Sequence, residues 1–354
     1  MKIVMITVGN PDRMTGGYLY HKQVYAILAQ MEVPISEIIV AEADAAAQRA
    51  AVITLNPSDY DIIMIDALAR IAVAPYVKTW CAHTKVIAMV HELPSLASGG
   101  VENEFEQLLI ESAHVCIAVS REGRARLLER YVEACRIVVA NPGCDRLGVP
   151  IHRAPAHVLG EGAAMCVAQW IPRKGIDAVL RAWEIGGFRT MALQFYGETT
   201  ADPDYTAQIW QQINDLRAKG FIIEVLGSVS DAQLRRAYAE NRFMILPSRF
   251  EGYGMAFAEA IWAGMPVIGY HIPTVAGIVR GAGHLVAVDD ITQLAWKIEY
   301  LGGDDLAIYY AWEQVMIRRN MLPRWQNTAF AWLDAFALAF DSQLIDYPVR
   351  DYVI

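Results

Sequence analysis

Short Val/Ile-rich runs alternating with longer amphipathic stretches constrain this chain more than any other feature. A first series reads "KIVMITV" (2–8), "SEIIVA" (36–41), "DIIMID" (61–66), "KVIAMVH" (85–91), "VCIAVS" (115–120) and "RIVVAN" (136–141). A second reads "AMCVAQW" (164–170), "MALQFYG" (191–197), "FIIEVLG" (221–227), "FMILPS" (243–248), "PVIGY" (266–270) and "GHLVAV" (283–288). Continuous apolar runs belong to strands buried on both faces, and helices between them make those strands parallel. "GVPIHRAPAHVLGEGA" (148–163), polar and rich in Pro and Gly, separates the series as a linker. The expected architecture is α/β, with doubly wound parallel-sheet domains at 1–150 and 151–322. An amphipathic helix, "PRWQNTAFAWLDAFALAF" (323–340), follows and is expected to cross back with the remaining C-terminal residues to the first domain.

Composition narrows the function. The 354 residues exceed the usual size of one core. A net charge of −9 argues against a general nucleic-acid binder and gives little support to peripheral contact with anionic lipid. Five scattered cysteines without a C-x-x-C pair read as reduced thiols of a cytoplasmic protein. The N-terminal apolar run is too short for a signal peptide, and no stretch reaches the roughly 18 apolar residues of a membrane span. Neither first strand leads into G-x-G-x-x-G, so no dinucleotide fingerprint is present.

Open parallel sheets bind ligands at the carboxyl ends of their strands. Gly16 and Gly17 follow the first strand and precede a helix, where backbone amides suit an anion; taken alone, the segment reads first as an ordinary strand–helix turn. His91 ends the fourth strand, and Ser120 is placed to cap the helix after the fifth. Arg173 and Lys174 follow the first strand of the second series and can neutralise a diphosphate. "RFEGYGMAFAEAIWAG" (249–264) is a turn feeding a short helix that should be buried nearly all round. An ionised Glu259 there needs partners, either ribose hydroxyls or a structural cation. Glu251 sits in the turn beside the helix amides. "DYD" (59–61) matches a metal-binding tripeptide, but it precedes a strand and reads as a turn.

The E-x7-E of "EGYGMAFAE", with "LPS" before it and "AIWAGMPVI" after it, resembles the signature of retaining GT-B glycosyltransferases of family 4. "TGGYLYH", "HE", "AVS", "PGCD", "RKG" and "LGSVSD" stand in that family's order, from about residue 1 to 335. The resemblance implies two Rossmann-like domains facing a central cleft, the second holding a nucleotide diphosphate sugar and the first a saccharide or lipid-linked acceptor. It implies Arg173 and Lys174 at the diphosphate and Glu251 at donor-sugar hydroxyls. Amides of Gly252, Tyr253, Gly254 and Met255 would hold sugar and phosphate oxygens, and Glu259 the ribose. Gly16 and Gly17 would close over the diphosphate, with His91 near the reacting carbon. It implies retained anomeric configuration and no metal or cofactor. Where the family often has Gly-x-Pro-Glu, this chain has Val275, Ala276 and Gly277, so donor contacts from that loop are not carried over. A GT-B sugar epimerase and a catalytically silent GT-B subunit are the alternatives.

Overall fold

A computed structural model describes residues 1–10, 15–93, 95, 104–151 and 162–341. The chain divides into two compact units, one of residues 1–143 with 323–354 and the other of 144–322.

In the first unit, strands β1 (Ile3–Val8), β2 (Ile35–Val40), β3 (Ile62–Asp66), β4 (Lys85–Val90), β5 (Val115–Ala118) and β6 (Ile137–Val139) form one sheet. Its order is β2-β1-β3-β4-β5-β6, with every pairing parallel. β3 and β5 are buried along their whole length, as continuous apolar runs require, while the edge strand β2 leaves Ile39 46% exposed. The closing helix Trp325–Phe340 packs its apolar face here. Trp332 is fully buried and donates Nε1–H to Tyr20 Oη at 2.9 Å; Tyr20 donates in turn to the Ala140 carbonyl at 2.9 Å. Each buried polar end of these rings thus has a partner. Residues 342–354, the rest of the expected crossing segment, lie outside the described residues.

In the second unit, β7 (Ala164–Val167), β8 (Leu193–Tyr196), β9 (Ile223–Gly227), β10 (Phe243–Leu246), β11 (Val267–Tyr270) and β12 (Gly283–Val286) pair in the order β12-β11-β10-β7-β8-β9, again all parallel. Trp170, Trp183, Phe195, Tyr238, Phe243 and Phe257 fill its core. Both sheets are doubly wound, each with one reversal of strand order. That switch lies between β1 and β3 in the first unit and between β7 and β10 in the second.

The division falls at Gly143, before the expected boundary at 150, and the reason is polar. Arg235 donates to the Leu147 and Val149 carbonyls at 2.5 and 2.8 Å, and Trp262 Nε1 donates to Gly148 O at 2.8 Å. These bonds tie the start of the linker to the second unit. Residues 152–161 of that linker lie outside the described residues.

Among the described residues, no helix is long and apolar enough to cross a membrane. "DYD" precedes β3, where Asp61 accepts a hydrogen bond from the Lys2 backbone amide at 2.6 Å, so it sits at the amino end of the sheet.

Candidate active site

The second unit's switch point collects the residues expected there. The chain leaves β7, makes a tight turn at Pro172–Lys174 and enters the helix Ile176–Gly186 through Gly175. Gly175 has φ +69°, and a Cβ on it would lie 2.3 Å from the Pro247 carbonyl oxygen, just beyond β10. Only glycine admits both the left-handed backbone and this approach of the two strand exits. Gly175→Ala is therefore expected to cost about 2 kcal/mol, read as a lowered urea midpoint with an unchanged slope.

That approach brings Arg173, Lys174 and Glu251 together. Lys174 Nζ donates to both Glu251 oxygens at 2.7 and 2.8 Å, and Ser248 Oγ donates to one at 2.7 Å. Arg173 Nη1 donates to the Phe250 carbonyl at 3.2 Å and stands 3.7 Å from the Glu251 carboxylate. Arg249 clamps the turn from below, pairing with Asp177 through both terminal nitrogens and with Asp289 through Nε. Burial alone would raise the Glu251 carboxyl, but the charges of Lys174 and Arg173 outweigh it and hold it below its ordinary range. A folded-state pKa lowered in this way stabilises the fold above the unfolded value, and the contribution is lost as pH falls through the folded one. An acid titration should accordingly show wild type losing stability below about pH 4.3 more steeply than Glu251→Gln.

Gly252, Tyr253, Gly254 and Met255 lead from Glu251 into the helix Met255–Trp262. Gly254 caps it at φ +111° with no side-chain bond to the first amides. The helix starts just beyond the carboxyl end of β10, the strand paired with β7, whose exit carries Arg173 and Lys174; a helix N-terminus in such a place suits phosphate or sugar oxygens. The helix is buried nearly all round: Phe257, Ala258, Ala260 and Ile261 are fully inaccessible.

Glu259 requires a correction. It is 5% exposed, and its partner is a structural cation: Arg146 Nε donates to Oε1 at 2.8 Å and Nη2 to Oε2 at 3.1 Å. Arg146 also pairs with Asp231. The desolvation that called for a ligand is met within the protein, so burial of Glu259 does not by itself mark a nucleoside site. Arg146 and Asp231 escaped the sequence reading. The available signal was a cation directly after the "PGCD" turn, between that turn and the linker.

The first unit gathers a second group at its own switch. The segment 11–14 after β1 lies outside the described residues. Gly16 and Gly17 open α1 (Gly16–Gln30), and a Cβ on Gly17 would make ordinary contact with the His91 ring at 3.7 Å. His91 Nε2 lies 2.9 Å from His21 Nε2 on α1. Asp66, the last residue of β3, has Oδ2 3.8 and 3.9 Å from these nitrogens. Burial lowers His91 to about 4 and raises Asp66 to about 6. His21 and Asp66 were not singled out from sequence. His21 lies inside the quoted "TGGYLYH", and its inward direction depends on the register of α1. Ser120 caps its helix as expected, accepting from Gly123 N at 2.9 Å.

Comparison with known proteins agrees with this fold. Residues 162–304 match the family model described as glycosyl transferases group 1. O-antigen chain mannosyltransferase B of Escherichia coli is 25% identical over 246 residues, 65% of this chain; the matched stretch spans 62% of that relative's length. The crystal structure of Anabaena HepE in complex with UDP superposes with a TM-score of 0.73 at 16% identity, covering 95% of this chain and 100% of that one. Sucrose-phosphate synthase from Thermosynechococcus elongatus gives 0.76 at 17% identity, covering 97% and 100%. The likeness to these two structures is one of fold. Residues 162–304 thus resemble the group 1 glycosyltransferases, and the chain's two parallel sheets are those of the GT-B fold.

Proposed function

We propose that the protein is a glycosyltransferase that moves a hexosyl group from a nucleotide diphosphate sugar to a saccharide or lipid-linked acceptor. The supporting observation is the convergence of Arg173, Lys174, Glu251 and the amides of helix Met255–Trp262 on the β7/β10 switch. As the glycosidic bond breaks, negative charge grows on the departing diphosphate. Arg173 and Lys174 stabilise that charge without a metal ion at the phosphates, and fixed amides add donors that need no reorganisation. Glu251, held ionised, would accept from donor-sugar hydroxyls through lone pairs that Lys174 and Ser248 do not use. Glu259 is held by Arg146 and contributes to ribose binding only through lone pairs the guanidinium does not use. Configuration is retained in this reading, with the leaving phosphate assisting deprotonation of the acceptor.

The UDP in the HepE structure and the mannosyl activity named for the Escherichia coli relative select the donors to test. Thermal shifts with UDP-glucose and GDP-mannose should show one raising the unfolding temperature, by about 2.7 kcal/mol of stabilisation at 100 times its Kd. Transfer of radiolabelled sugar to an acceptor separates a transferase from an epimerase, which would convert the donor alone. No shift with any nucleotide sugar would overturn the reading.

A further inference from the structure

His21 and His91 meet through their Nε2 atoms at 2.9 Å, a gap that holds one hydrogen. Burial pushes both imidazoles below their ordinary range, His91 to about 4, so near neutral pH each ring is uncharged and carries a single N–H. One ring therefore donates and the other accepts. The Asp66 carboxylate does not choose between them. Its Oδ2 stands 3.9 Å from His21 and 3.8 Å from His91, beyond hydrogen-bond reach of both, and its Oδ1 accepts from the Leu68 amide at 2.8 Å.

The far sides of the rings make the choice. His21 is 3% exposed, and its Nδ1 is buried with no partner. A hydrogen on that atom would be a buried N–H without an acceptor, an arrangement folded proteins avoid. His21 accordingly carries its hydrogen on Nε2. The His91 side chain, 20% exposed, turns its Cδ2–Nε2 edge to α1, where a Cβ on Gly17 would lie 3.7 and 3.8 Å from those two atoms. Its Nδ1, on the opposite edge, has no partner among the described residues.

We propose that His21 is a positioning residue: it donates Nε2–H to His91 Nε2 and so fixes His91 as the Nδ1–H tautomer, a hydrogen-bond donor toward a ligand oxygen. The donor is itself held in place. The His21 ring stacks on Tyr25 with centroids 5.7 Å apart, and Tyr25 Oη donates to Glu37 Oε1 at 3.4 Å. The edge of Tyr20 meets the His91 ring at 5.0 Å and steadies it from another side. In this tautomer His91 has no lone pair left to take a proton, since Nε2 is already accepting. In the hexosyltransferase reading, on which the role rests, His91 gives a hydrogen bond to an oxygen of the donor sugar and leaves deprotonation of the acceptor to the departing phosphate.

The full-length, ligand-free protein is labelled with 15N in its histidine rings, and long-range 1H–15N spectra at about pH 8, above the ordinary histidine pKa, read which nitrogen of each ring is protonated. His91→Gln identifies the His91 signals by their loss. Expected in wild type are a protonated Nδ1 and a bare Nε2 on His91. His21→Phe keeps a ring against Tyr25 but offers no N–H, and should return His91 to a mixture of its two tautomers. With a donor that raises the unfolding temperature, the same variant should lower kcat/KM by about tenfold, the worth of one hydrogen bond. A protonated Nε2 on His91 in wild type refutes the assignment, and this spectrum suffices should His21→Phe misfold. An unchanged tautomer in folded His21→Phe, or wild-type kcat/KM once the tautomer has changed, refutes the positioning role. The spectra need no nucleotide sugar, so failure of the hexosyltransferase reading is told apart from failure of the tautomer.

Discussion

Lys174→Ala is expected to lower kcat by about 10²–10³-fold, with the donor Kd changing far less. The lysine is held by Glu251 at the strand exit, and in the proposed reading its charge stabilises the leaving diphosphate. Removing it also leaves a buried carboxylate with the Ser248 hydroxyl and, as its nearest cation among the described residues, Arg173 at 3.7 Å, so the variant should lose stability as well. The two effects separate in the double variant Lys174→Ala/Glu251→Gln. Neutralising the acid should restore the unfolding midpoint, because no uncompensated charge remains, while turnover stays low. Single-turnover transfer and urea unfolding on the same preparations check this; wild-type kcat in a folded Lys174→Ala protein would remove the residue from the chemistry.

Arg146→Met is expected to destabilise the protein by about 3–5 kcal/mol. Its guanidinium, 3% exposed, makes both bonds to a glutamate that is itself 5% exposed, and no other cation is bonded to that carboxylate among the described residues. The variant leaves Glu259 charged in an apolar helix. Adding Glu259→Gln should recover most of the loss, since a neutral amide needs only hydrogen bonds. Nucleotide binding supplies a second readout. If Glu259 also takes ribose hydroxyls, Glu259→Gln alone should weaken UDP by more than tenfold while changing stability less than Arg146→Met does. Equal affinity would confine the acid to a structural pair.

The strands were legible because burial on both faces writes itself into consecutive residues: eleven of the twelve apolar runs contain an observed strand, and the twelfth, 36–41, overlaps β2 shifted by one residue. Arg173, Lys174 and Glu251 were legible for a related reason. They directly follow strands, and the exits of doubly wound strands converge. Arg146 was not legible, because its partner is 113 residues away and lies on a helix whose buried face is set by packing. His21 failed similarly. A histidine five residues into α1 points toward His91 and Asp66 only through the register of that helix against the sheet. Pairings made across folded distance leave no mark in local composition.

The second unit is one uninterrupted stretch, whereas the first is completed only by a helix that begins 182 residues after Gly143, at Trp325. On the ribosome this reverses the usual order of maturation, in which the earlier domain folds first. The N-terminal sheet emerges with Tyr20 lacking its Trp332 cover and must wait, partly bare, until the helix Trp325–Phe340 has been made. The second unit can by then be folded, so the nascent chain can complete its second unit before its first.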